Sequence, residues 1–209
     1  MPVKKAKTES GFSIIEMTLT IIIMLIIMGV VTTLFSRSLS TKSRESSRTD
    51  ALTAAQAALN VMSREIANSG YGVVTNGLMN DSNGTALHYV SNHVNTNDNL
   101  LQPGENVTYY WEPGTQSILR HDANGAPGGG PMTSIIINRI SNVQFRYFDY
   151  VGSNPIPSAA SATPTANTGR VRITLTVNME DLVGQVQNDR VVLTSDVTLR
   201  NSGYMLKNY

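Results

Sequence analysis

An acidic residue set in an oily stretch constrains this chain more than any other feature. Between Met17 and Ser36 the sequence carries no charge and includes Ile21-Ile22-Ile23-Met24-Leu25-Ile26-Ile27-Met28. Those twenty residues, wound as a helix at about 1.5 Å each, reach about 30 Å, the hydrocarbon thickness of a bilayer. Glu16 stands at the head of the run, inside an apolar segment that opens at Phe12. An ionisable group within a membrane span costs about 2.5–3.5 kcal/mol on insertion scales, so it calls for a partner. No Lys, Arg or His lies between Ser10 and Ser36.

Three readings compete for this segment. A secretory signal peptide has an apolar region of about 7–15 residues and a small-residue cleavage site. Here the run is longer, and Thr32-Thr33-Leu34-Phe35-Ser36 has no such pattern. A plain signal anchor keeps its basic end, Lys4, Lys5 and Lys7, in the cytoplasm and the C-terminal bulk outside. The third reading keeps that orientation and adds cleavage after Gly11. Phe12 then becomes the N-terminus, and its new ammonium supplies a cation for Glu16 of a neighbouring copy.

The string Gly11-Phe12-Ser13-Ile14-Ile15-Glu16-Met17-Thr18-Leu19 resembles the prepilin signature of the type IV pilin-like superfamily. A short basic leader ends in glycine, an aromatic opens the mature chain, and a glutamate stands fifth. The resemblance implies cutting by prepilin peptidase between Gly11 and Phe12, N-methylation of Phe12, and a subunit-assembly role for Glu16. A buried ion pair must overcome desolvation, so its use is in specifying docking more than in adding stability.

From Ser36 to Ser69 there is no proline or glycine. Leu52, Ala55, Leu59, Met62 and Ile66 fall at spacings of three and four, a stripe on one helical face. Arg44, Arg48, Gln56, Asn60 and Arg64 mostly take other faces. One helix is therefore predicted from about Phe12 to Asn68, with Gly70 as a left-handed stop. The Ser/Thr-rich stretch 36–50 leaves room for a bend.

Beyond Gly70, β-branched and aromatic residues take over. Strands are predicted at Ala86–Val90, Asn106–Trp111, Ser117–Arg120, Ser134–Ile140, Asn142–Tyr150, Arg170–Met179 and Arg190–Arg200. Val171, Ile173, Leu175 and Val177 alternate with polar neighbours, a period-two pattern with one buried face. Asp181–Asp189 reads as a hairpin-like connection, and Gly152–Gly169 as an exposed, mobile loop. The class is α+β: a long N-terminal helix packed on an antiparallel sheet. Its parts are a cleaved leader (1–11), a membrane or filament-core helix (12–36), an amphipathic continuation (37–69) and an extracytoplasmic β-rich domain (70–209).

Within the superfamily, Val143-Gln144-Phe145-Arg146-Tyr147 followed by Val171-Arg172-Ile173-Thr174-Leu175-Thr176-Val177 resembles PilW-like minor pilins and J-type pseudopilins of type II secretion. The helix end at 58–71 is also similar, with Glu65 where an Asp is frequent and Asn68-Ser69 departing from the pattern. The resemblance implies a non-enzymatic minor pilin of a type IV pilus, in assembly or at the tip. Its partners would be other pilins through the helix, prepilin peptidase and the inner-membrane assembly platform. Other readings are a pseudopilin, or a tip adhesin or DNA-uptake pilin.

The remaining sequence argues against other chemistry. With no cysteine, thiol nucleophiles and thiolate metal sites are excluded. A net charge of +1, with 15% charged residues, lacks the basic excess of a nucleic-acid binder. His88, His93 and His121 have no metal-ligand spacing, and Gly128-Gly129-Gly130 lacks the Lys-Ser/Thr of a phosphate loop. The Asx-rich loops at Asn80–Gly84 and Asp122–Gly125 supply one carboxylate each, short of what calcium needs, and read as turns. Tyr109, Tyr110 and Trp111 read as strand core before partner surface. No cofactor, metal or small-molecule substrate is expected.

Overall fold

The computed structural model describes residues 11–94, 100–152, 154, 156–179 and 190–208. The leader residues Lys4, Lys5, Lys7 and Glu9, and the 181–189 connection, lie outside the described residues. The chain forms two units, Met1–Ser46 and Ser47–Tyr209, and the first helix, α1 (Ile14–Ala67), runs through their boundary.

In the first unit every large apolar side chain from Phe12 to Leu39 is exposed, between 48% and 86%. Left in water, each such side chain forgoes about 1.5–3 kcal/mol of burial. This length of helix is built for an apolar medium, either lipid or other protein.

In the second unit the helix is a different object. Ala55, Leu59, Met62 and Ile66 of the predicted stripe are buried, with Ala51 and Ala58 beside it, while Leu52 is half-buried and Ala54 exposed. The small side chains let strands approach, and Leu59, Met62 and Ile66 fill the space between. α1 ends at Ala67, whose carbonyl takes the Arg200 N–H at 3.0 Å. Gly70 turns the chain with φ 79°, where a Cβ would lie 2.6 Å from the Thr75 carbonyl oxygen. No L side chain fits that turn.

Among the described residues seven strands follow: β1 (Ala86–Val90), β2 (Asn106–Glu112), β3 (Ser117–Asp122), β4 (Met132–Ile137), β5 (Ile140–Asp149), β6 (Thr168–Asn178) and β7 (Arg190–Thr198). All pairs are antiparallel. The fold is α+β as the sequence implies, but the strands divide into two meanders, β1-β2-β3-β4 and β5-β6-β7. The division falls where a strand was predicted to continue through Ile140. Arg139 takes φ 62°, a left-handed conformation rare for a residue with a Cβ, and the ladder stops before it. One core serves both sheets and the helix: Leu59, Met62 and Ile66 join Tyr109 and Ile118 of one meander and Phe145, Ile173 and Leu175 of the other.

Two further differences have local causes. The loop predicted as exposed and mobile is largely exposed, but its second half is tied to β5: Ser161 pairs with Tyr147, and Asp149 accepts the Thr165 and Thr168 hydroxyls at 2.7 and 2.6 Å. Ser and Thr here supply hydrogen bonds where apolar anchors are missing. A short helix, α2 (Gly203–Asn208), was not predicted; Tyr204 stacks on Tyr150 with centroids 4.6 Å apart.

Candidate functional site

The three sequence-predicted site residues sit together at the start of α1. Gly11 and Phe12 precede the helix, both exposed, and nothing approaches within 4 Å of where a Cβ on Gly11 would stand. Ser13 is the residue just before the helix, and its carbonyl accepts the Met17 N–H at 3.1 Å. The Ser13 N–H in turn donates to Glu16 Oε2 at 3.3 Å. This is half of a capping box, in which the third helical residue reaches back to a free backbone donor. The sequence contains both residues, but the cap was not foreseen. Glu16 thus has a neutral local partner; the next cation along the helix, Arg37, lies about 30 Å further on.

A second cluster lies at the other end of α1, wholly within residues 47–209. Glu65 Oε2 accepts three hydrogen bonds: from Tyr89 Oη at 2.9 Å, Tyr109 Oη at 2.7 Å and Arg120 Nε at 3.0 Å. Arg120 Nη1 donates to Asp122 Oδ2 at 3.1 Å, and the Gly104 N–H donates to the same oxygen at 2.7 Å. Burial, then the charge of Glu65, pushes both tyrosine pKa values up, so these hydroxyls stay protonated donors. Burial works against the Arg120 charge, but hydrogen bonding and attraction to Glu65 outweigh it and raise its pKa.

Glu65, Asn68, Tyr71, Tyr89, Ser91, His93, Gly104 and Arg120 line an open recess of about 490 Å³ over this cluster. In the sequence Glu65 stands out only as a departure within the helix-end motif. One signal was present: an acidic residue directly beside Ile66 of the buried stripe needs donors from whatever packs there.

The other flagged residues take structural places. His88 sits between the Asp81 carboxylate, 2.8 Å from Nδ1, and Asn106 Oδ1, 2.7 Å from Nε2. His121 pairs with Thr133. Asn83 Oδ1 accepts the Thr85 N–H, and Asp122 Oδ1 the Asn124 N–H, so both Asx-rich loops form turns. Among the described residues no three His, Asp or Glu side chains gather as metal ligands would. Tyr109 is core; Trp111 is half-buried and donates from Nε1 to the Ile140 carbonyl at 3.0 Å, joining the two sheets.

Fold and exposure define a class: an α+β protein with, among the described residues, one helix long and apolar enough to cross a membrane. Compared with family models, curated proteins and solved structures, the chain matches none.

Proposed function

We propose that this chain is a non-enzymatic minor pilin of a type IV pilus, acting in assembly or at the tip. It is inserted in the cytoplasmic membrane through residues 12–36, with its β-rich domain outside the cytoplasm. Prepilin peptidase cuts between Gly11 and Phe12, and Phe12 is N-methylated. Glu16 then meets the Phe12 ammonium of an adjoining subunit. The observation that carries the reading is Glu16 itself, a carboxylate at the mouth of a wholly exposed apolar helix, four residues from an open glycine–phenylalanine bond.

The capping bond of Glu16 offers a purely local role, and two variants separate it from assembly. Gln keeps an oxygen for the Ser13 N–H but loses the charge. If pairing with an ammonium matters, Glu16→Gln and Glu16→Ala both leave insertion intact and abolish incorporation into filaments. If only the cap matters, Glu16→Gln assembles like wild type. Mass spectrometry of the mature chain should find Phe12 first, with an added methyl group; a chain still carrying residues 1–11 in filaments overturns the reading.

One observation favours a second reading, a pilin that binds polyanions. Arg146 pairs with Arg172, and Phe148 with Arg170, across β5 and β6. The Arg170 guanidinium lies 4.2 Å from the Phe148 ring centroid and Arg172 at 5.3 Å, on the same face. Asp196 offsets one of these charges through Arg172. An electrophoretic shift with duplex DNA, lost in the Arg146→Ala/Arg170→Ala double variant, supports it; no shift at low salt removes it.

A further inference from the structure

The recess at the end of α1 has more construction than a core needs. The charges that face it are one carboxylate and one guanidinium, Glu65 and Arg120; the Asp122 carboxylate behind them is buried and brings the sum of the three to −1. Around it stand donors and acceptors on planar side chains, Glu65, Asn68, His93 and Arg120, with two tyrosine rings, the buried Tyr89 and Tyr71, which is 52% exposed. Gly104 keeps the space open. It has φ 85°, and a Cβ there would stand 3.3 Å from His93 Cε1 and 3.8 Å from Arg120 Nη2. Both groups line the recess beside this glycine.

We infer that this recess binds a neutral carbohydrate, a mono- or disaccharide unit, without turning it over. Sugar hydroxyls both donate and accept, so they suit a surface that offers both. Planar carboxylate, amide and guanidinium groups match pairs of adjacent hydroxyls, and the C–H face of a sugar ring packs on an aromatic ring. A volume near 490 Å³ falls in the range of about 300–1,000 Å³ typical of small-molecule sites. The net −1 of Glu65, Arg120 and Asp122 disfavours an acidic ligand, and the glucosamine control reads whether a basic one competes. The site goes beyond the filament reading and stands whether or not the chain is a pilin.

The test uses the full chain in a zwitterionic detergent, since glycoside detergents would compete. Saturation-transfer NMR is run with maltose, cellobiose, lactose and chitobiose, and with glucuronate and glucosamine as charged controls. At least one neutral sugar should show transfer and saturable binding. Tyr71→Ala and His93→Ala, neither of which removes a bond of the Glu65 cluster, should each weaken it about tenfold. Co-sedimentation with insoluble amylose and cellulose tells a polysaccharide chain from a free sugar as the source. Binding by none of the neutral sugars, by the charged controls alone, or with full strength in both variants overturns the assignment.

Discussion

The two halves of α1 share a backbone and little else. From Ile14 to Ser46 it is apolar nearly all round at first and then polar, with no side chain buried. From Ser47 to Ala67 a narrow stripe of alanines with Leu59, Met62 and Ile66 is sealed into a core shared by two sheets. The contrast teaches that apolar content alone does not say where a helix will be buried. The first half has more of it and buries none inside this chain; the second succeeds through spacing and small residues. One half is a surface awaiting an apolar medium, the other is a finished interior.

The sharpest way to break this comparison is to make the same cut in both halves. Leu59→Ala, at a position 2% exposed, should destabilise the β-domain by about 2–5 kcal/mol, read by chemical denaturation. Leu25→Ala should leave that midpoint where it is and change only membrane partitioning. Equal losses would mean that the two halves are not distinct. A smaller effect sharpens the contrast between the two glutamates. Glu65→Ala leaves two tyrosine hydroxyls and an Arg120 N–H without their acceptor and should cost about 1–3 kcal/mol. Glu16→Ala should leave the domain's unfolding unchanged.

How much of this was legible in the sequence follows the same line. The helix, the Gly70 turn and all seven strands could be read because each depends on a local period or a local stop. The split into two sheets could not, since it turns on Arg139 adopting a left-handed conformation that its side chain does not announce. The Glu65 cluster was hidden for another reason: its partners stand 24, 44 and 55 residues away. Only the finished packing of β1, β2 and β3 on the helix end brings them together. The residues proposed for processing and assembly are the opposite case. Gly11, Phe12 and Glu16 lie within one turn and a half of chain, so their motif was visible at once, although the Ser13 cap was overlooked.

The smallest expected effect concerns pH. Arg172 donates to Asp196 through Nε at 2.7 Å and Nη2 at 2.8 Å. That hydrogen bonding lowers the Asp196 pKa below its ordinary 3.8. Because the folded value is the lower one, the pair's contribution is full above the ordinary value and is lost as pH falls through the folded value. Thermal unfolding of wild type should drop more steeply between neutral pH and pH 3 than that of Asp196→Asn. The pair is partly exposed, so the difference should be slight and should shrink in high salt.

The left-handed residue at Arg139 has a consequence for how such a chain can change over time. The two meanders share a core, yet among the described residues no strand of one is laddered to a strand of the other. A residue gained or lost in the turn between β3 and β4 would slip the register there and stop at the seam. Each meander is free to drift in length and surface on its own, provided the side chains it sends inward keep their volume.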